Sequence, residues 1–282
     1  MKIDLLFIAY NRLPYVKLTL PTLLDDPTEE FFLTIWDNGS TDGTREYLSS
    51  VDDARITRKV FARENVLLHG AVNDLVSKSS ADLIGMIFDD ILVTPGWTRP
   101  LAQAHTDVPE FGMIGSWHFP PEDFDYEIAK NKIQKFGQHQ VLRHPWTGVG
   151  AGLVKVKTMR ECGPLESSRT TYYWIQMALR GYINGYYFPL ILADHLDDPR
   201  SPHSRLKSEK DFQREPPTTA ICNCYNSMDE WVGSLRKDAL IIQTANINPK
   251  YYIGCRAKLR RIRQRIRRKA RRIVWQSNLK SD

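Results

Sequence analysis

Leu83-Ile84-Gly85-Met86-Ile87-Phe88-Asp89-Asp90 is an unbroken apolar run closed by two adjacent carboxylates. An apolar run of this length fits a strand buried on both faces, as at the centre of a parallel sheet. Adjacent carboxylates at its end repel each other unless solvent or a cation relieves them. Chemistry is therefore expected where this strand stops. Working outward, Ile3–Ala9, Phe31–Asp37 and Ile56–Val60 read as further strands, and Tyr15–Leu24, Asp42–Ser50 and His69–Ser79 have helical spacing with polar faces. Such alternation predicts an α/β fold, a mostly parallel sheet flanked by helices. Three strands end in polar segments, Tyr10-Asn11-Arg12, Asp37-Asn38-Gly39-Ser40 and Asp89-Asp90. Ligands of open α/β sheets bind beyond the carboxyl ends of the strands, so these segments should line one crevice.

Beyond Phe111 the alternation loosens. The pattern predicts a strand at Met113–Trp117, a polar loop over Pro120–Gln140, a Gly-rich segment Thr147–Gly152 leading into Leu153–Val156, a helix at Tyr172–Arg180 and a strand around Tyr186–Leu192. Pro, Ser and charge concentrate in Asp197–Pro217, which marks the edge of the first domain. The expected organisation is a domain over 1–205, an extension packing on the core over 206–254, and a basic amphipathic tail helix over 255–282.

With 282 residues and 42% hydrophobic composition, the chain can bury one sizeable core and does not read as disordered. No run approaches the roughly 20 apolar residues that a membrane-crossing helix needs. Met1–Tyr10 reads as a buried strand instead of a secretion signal. A cytoplasmic protein, peripheral at most on the cytoplasmic face of a membrane, is the expectation. The four cysteines lack the C-x-x-C spacing of a zinc site and read as reduced thiols. The net charge of +6 is concentrated: Arg256–Arg272 holds eleven Lys or Arg and no acid, which leaves about −5 for the rest.

Asp37-Asn38-Gly39-Ser40-Thr41-Asp42-Gly43-Thr44 sits where a strand turns into a helix. Gly39 permits a tight turn and Ser40 or Thr41 can cap the helix. A calcium loop is excluded, because Gly39 lacks the oxygen required at the third position and Leu48 replaces the closing acid. A carboxylate at Asp37 can also accept a ring N–H of uracil or guanine. Asp89-Asp90 can be a solvated turn, or can hold Mn2+ or Mg2+, hard ions that favour one or two carboxylates plus phosphate oxygens.

In order and spacing, Ala9-Tyr10-Asn11-Arg12, Asp37–Thr44, Arg63-Glu64-Asn65 with Asn73, Asp89-Asp90 with Pro95-Gly96-Trp97, Thr147–Gly152, and Glu161-Cys162-Gly163-Pro164-Leu165 resemble glycosyltransferase family 2 over roughly residues 1 to 195. The resemblance implies a GT-A fold, Rossmann-like, and transfer of a sugar from a UDP- or GDP-sugar donor. It implies that Ala9, Tyr10, Asn11 and Arg12 line the donor site, with Tyr10 and Asn11 on the base, that Asp37 binds the base, and that Asn65 and Asn73 position the donor loop. Asp89 would reach the ribose or metal and Asp90 would ligate the metal. His195, in Asp194-His195-Leu196-Asp197-Asp198, would be a further ligand. Two departures stand out. The family's D-x-D motif is here a bare Asp-Asp, and its Glu-Asp pair, which carries the general base, falls on Tyr173-Trp174. Glu166 and Asp194 are the candidate bases in its place, with Asp197 as the alternative acid to Asp194.

In the tail, Leu259, Ile262, Ile266, Ala270 and Ile273 make a narrow apolar stripe among arginines, closed by Trp275. This suits an anionic membrane surface; nucleic acid is the disfavoured partner, since no nucleic-acid fold accompanies the charge. Two functions follow: a metal-dependent, inverting sugar transferase acting on a glycan or lipid-linked acceptor, or a noncatalytic nucleotide-binding module attached through its tail to membrane or nucleic acid.

Overall fold

The computed structural model describes residues 1–25, 30–148, 150–166 and 170–254, together with Ile262. The basic amphipathic tail expected over 255–282 lies otherwise outside the described residues. The first half alternates β1 (Ile3–Ala9), α1 (Leu13–Leu24), β2 (Phe32–Asp37), α2 (Thr44–Ser50), β3 (Ile56–Phe61), α3 (Leu67–Lys78) and β4 (Leu83–Phe88). There follow β5 (Ile91–Val93), α4 (Thr98–Asp107), β6 (Phe111–Gly115), a short α5 (Tyr126–Ala129), β7 (Ile133–Phe136), β8 (His139–Arg143), β9 (Gly152–Lys155), α6 (Val156–Cys162), α7 (Thr170–Leu179), β10 (Ile183–Phe188) and β11 (Ala193–His195). Helices α8 (Glu209–Arg214), α9 (Thr218–Asn223) and α10 (Met228–Thr244) follow.

One nine-stranded sheet runs in the order β3-β2-β1-β4-β9-β6-β10-β8-β7. Strands β9 and β8 run against their neighbours, and the others share one direction. A mostly parallel sheet flanked by helices is what the sequence predicted. Side chains alternate across it. Leu5, Phe7, Leu33, Ile35 and Ile87 face one core with α1 and α4, whereas Leu6, Ile8, Trp36, Ile84 and Met86 face another with α3, α6 and α7. Each such side chain, buried in full, contributes about 1.5–3 kcal/mol. Gly85 is required by this packing, since a Cβ there would lie 2.5 Å from Leu5 Cδ2 and 2.8 Å from Leu153 Cδ2.

A third cluster joins the far end of the sheet to the C-terminal helices, packing Trp117, Leu142 and Tyr186 against Phe212, Trp231 and Leu235. Two expectations in this region change. The polar stretch Pro120–Gln140 carries most of a β7–β8 hairpin, turning at Gly137 with φ +58°. The strand expected at Tyr186–Leu192 begins at Ile183 and stops at Phe188, ahead of Pro189.

Candidate active site

β1 has β2 on one side and β4 on the other, so the connections diverge there and open a crevice at the carboxyl ends. The register sets Ala9 beside Asp37 and Ile8 beside Phe88. Tyr10-Asn11-Arg12, Asp37 and Asp89-Asp90 therefore meet at one edge.

The Asp37 corner is closed. The Asp37 side chain is 0% exposed. Its carboxylate accepts the Ser40 N–H at 3.1 and 3.3 Å and Arg45 Nε–H at 3.0 Å. Arg45 also donates to the Ala62 carbonyl and lies over the Phe61 ring. Gly39 has φ +87°, and a Cβ there would be 3.2 Å from the Glu64 backbone. Asn11, itself at φ +51°, donates its N–H to Ser40 Oγ at 2.9 Å and accepts the Thr41 N–H at 2.7 Å. Asn65 accepts the Leu67 N–H at 2.8 Å and so shapes the entry to α3. Above these locked loops Tyr10 is 43% exposed.

The Asp90 corner is built differently. Asp89, nearly buried, accepts the Tyr10 N–H at 2.9 Å. Burial first and the Asp90 charge second hold its carboxyl well above the usual range. Asp90 accepts from Arg12 Nη1 at 2.9 Å, and the other Arg12 nitrogen donates to Asp197 at 2.7 Å. Antiparallel pairing of β11 with β5 sets His195 beside Ile91, one residue after Asp90. His195 Nε2 lies 3.8 Å from Asp90 Oδ2. Asp90, His195 and Asp197 offer ligand atoms that all fall within 4.8 Å of one another. Trp231 on α10 donates from Nε1 to the Asp197 carbonyl at 2.7 Å, tying the C-terminal helices to this corner. Burial raises the Asp197 carboxyl, and Arg12 opposes that rise.

Two carboxylates and an imidazole on converging segments fit Mn2+ or Mg2+, and the imidazole suits Mn2+ better. Arg12 bridges the two carboxylates, so its charge offsets one of the two they carry when ionised.

Asp194 accepts from Ser201 Oγ at 2.7 Å and faces His203 Nδ1 at 2.9 Å. It lines a cleft of about 340 Å³ with His118, Phe119, Leu192 and His195. Burial first, then the neighbouring His195, hold the His118 imidazole neutral by lowering its pKa to about 3. Asn73 engages the Leu165 backbone with both amide atoms, at 2.9 and 2.8 Å. It ties α3 to the segment that carries the exposed Glu166. Tyr173 and Trp174 are core residues. Nothing in the sequence marks out Arg45 or Trp231, and it offers Asp197 as a candidate base instead of a metal ligand. The acid-rich segment Asp194–Asp198 was the available signal for Asp197, while Arg45 and Trp231 carried none.

Residues 4–152, more than half of the chain, match the family model described as glycosyl transferase family 2. Among solved structures, the mannosyltransferase PcManGT from Pyrobaculum calidifontis, in complex with GDP-Man and Mn2+, superposes with a TM-score of 0.56 at 15% identity, covering 97% of this chain and 83% of that one. TarS from S. aureus gives a TM-score of 0.49 at 11% identity, covering 90% of this chain and 56% of that one. None of the curated proteins matches the sequence.

Proposed function

The chain belongs to glycosyl transferase family 2, and we propose that it moves a sugar from a UDP- or GDP-sugar to a hydroxyl of a glycan or lipid-linked acceptor, with inversion and with Mn2+ or Mg2+. The observation that carries this reading is the convergence of Asp90, His195 and Asp197 at the β1–β4 crevice. The GDP-Man and Mn2+ in the PcManGT complex support the same donor class and ion. When bound, the divalent ion neutralises the diphosphate leaving group.

Asp90, His195 and Asp197 would hold that ion, and Arg12 would add a fixed positive charge beside it. Tyr10 offers an exposed ring to the base, over loops that Asp37, Asn11 and Ser40 keep in place. Asp194, in the cleft beside His195, and Glu166, next to the Leu165 clamp, are the candidate bases for the acceptor proton. Residues 256–272 bring the chain to an anionic membrane surface; no helix among the described residues is long and apolar enough to cross one.

The test is nucleotide release from GDP-mannose and a set of UDP-sugars, with and without Mn2+ and candidate acceptors. Mn2+-dependent release is the expected result. Nucleotide binding without release from any donor would favour the noncatalytic module, and absence of binding would remove the reading altogether.

A further inference from the structure

Arg12 stands at the centre of the site and is held there from several sides. Its carbonyl opens α1 by accepting the Tyr15 and Val16 N–H groups, each at 2.9 Å. Its guanidinium lies 5.5 Å from the Tyr15 ring centroid, and the side chain as a whole is only 22% exposed. From that position it bridges Asp90 at 2.9 Å and Asp197 at 2.7 Å, two of the three groups that can ligate a cation.

We infer that Arg12 makes divalent-cation binding depend on the donor diphosphate, so that ion and nucleotide enter as one unit. This rests on the sugar-transfer reading of the site. Two carboxylates bridged by one guanidinium present about one net negative charge to a doubly charged ion. Each carboxylate also has an oxygen already engaged by a donor that repels the ion. A nucleoside diphosphate changes both conditions, because its oxygens supply ligands the protein lacks and its charge is shared between the ion and Arg12. Affinity for the ion must rise when the diphosphate is present, and by linkage affinity for the diphosphate rises by the same factor when the ion is present. An arginine is suited to the task, since its planar fork can span two carboxylates and stays charged at any working pH.

Isothermal titration calorimetry of the full chain with Mn2+, with GDP or UDP, and with both together tests the inference. In the wild type, Mn2+ should bind at least about tenfold more tightly with saturating nucleotide than without it, a coupling of ordinary size. Arg12→Met should tighten binding of Mn2+ alone by about tenfold and shrink the coupling. Arg12→Lys, which keeps the charge, should leave Mn2+ alone weakly bound. Equal affinity of the wild type for Mn2+ with and without nucleotide would overturn the inference, as would a folded Arg12→Met protein that binds Mn2+ alone no better. Should the wild type bind neither nucleotide in the presence of Mn2+, the sugar-transfer reading falls with it. The wild-type comparison stands even if the methionine variant does not fold.

Discussion

The two acidic corners of the crevice, Asp37 at the end of β2 and Asp90 just beyond β4, look alike in sequence and behave differently in the fold. Asp37 is fully covered and its carboxylate is met by a backbone N–H and a guanidinium, so it works as a keystone for the loops around it. Asp90 is 17% exposed and faces an imidazole and a guanidinium that arrive from other segments. A carboxylate that is fully partnered has little left to offer a ligand. One that converges with other donors at an open edge has ligand capacity.

Substitutions can break this contrast. The largest effect is expected at Asp90→Asn, which removes the charge that would meet the ion, while Arg12 keeps Asp197 as a partner and Asp89 loses a like-charged neighbour. Transfer should fall on the order of a thousandfold, as when one fixed electrostatic partner leaves a catalytic site, while the unfolding temperature holds or rises. Asp37→Asn should do the opposite. Its amide would face Arg45 with a donor in place of an acceptor, so chemical denaturation should show a loss of about 1–3 kcal/mol. The Mn2+ affinity of the folded protein should stay close to wild type. Trp231→Phe is the smallest probe. It keeps the ring in the third core cluster and deletes one hydrogen bond to the Asp197 carbonyl, for about 1 kcal/mol of stability. A loss of Mn2+ affinity on the same scale would show that the C-terminal helices hold Asp197 in place.

Legibility followed the same division. In the first half, burial on both faces and strict alternation leave a plain imprint on composition, and β1 and β4 fall on the boundaries read from the apolar runs. The β7–β8 hairpin hid in a charged stretch because its strands lie at the far edge of the sheet, where outward positions are polar; Gly137 between Phe136 and Gln138 was its one local signal. At the site, Asp89, Asp90 and His195 could be named from the sequence, but their meeting depends on the pairing of β5 with β11, more than a hundred residues apart. The closure of Asp37 by Arg45 was equally hidden, since an arginine in α2 reads as a solvated helix residue until the strand end is seen beneath it.

The central claim is that Asp90, His195 and Asp197 form one cation site. Diffraction from crystals grown with GDP and Mn2+, with anomalous data collected near the manganese edge, tests it directly. A single anomalous peak within ligand distance of all three side chains is the predicted result. A peak bound by other residues, with Arg12 still bridging Asp90 and Asp197, would contradict the account.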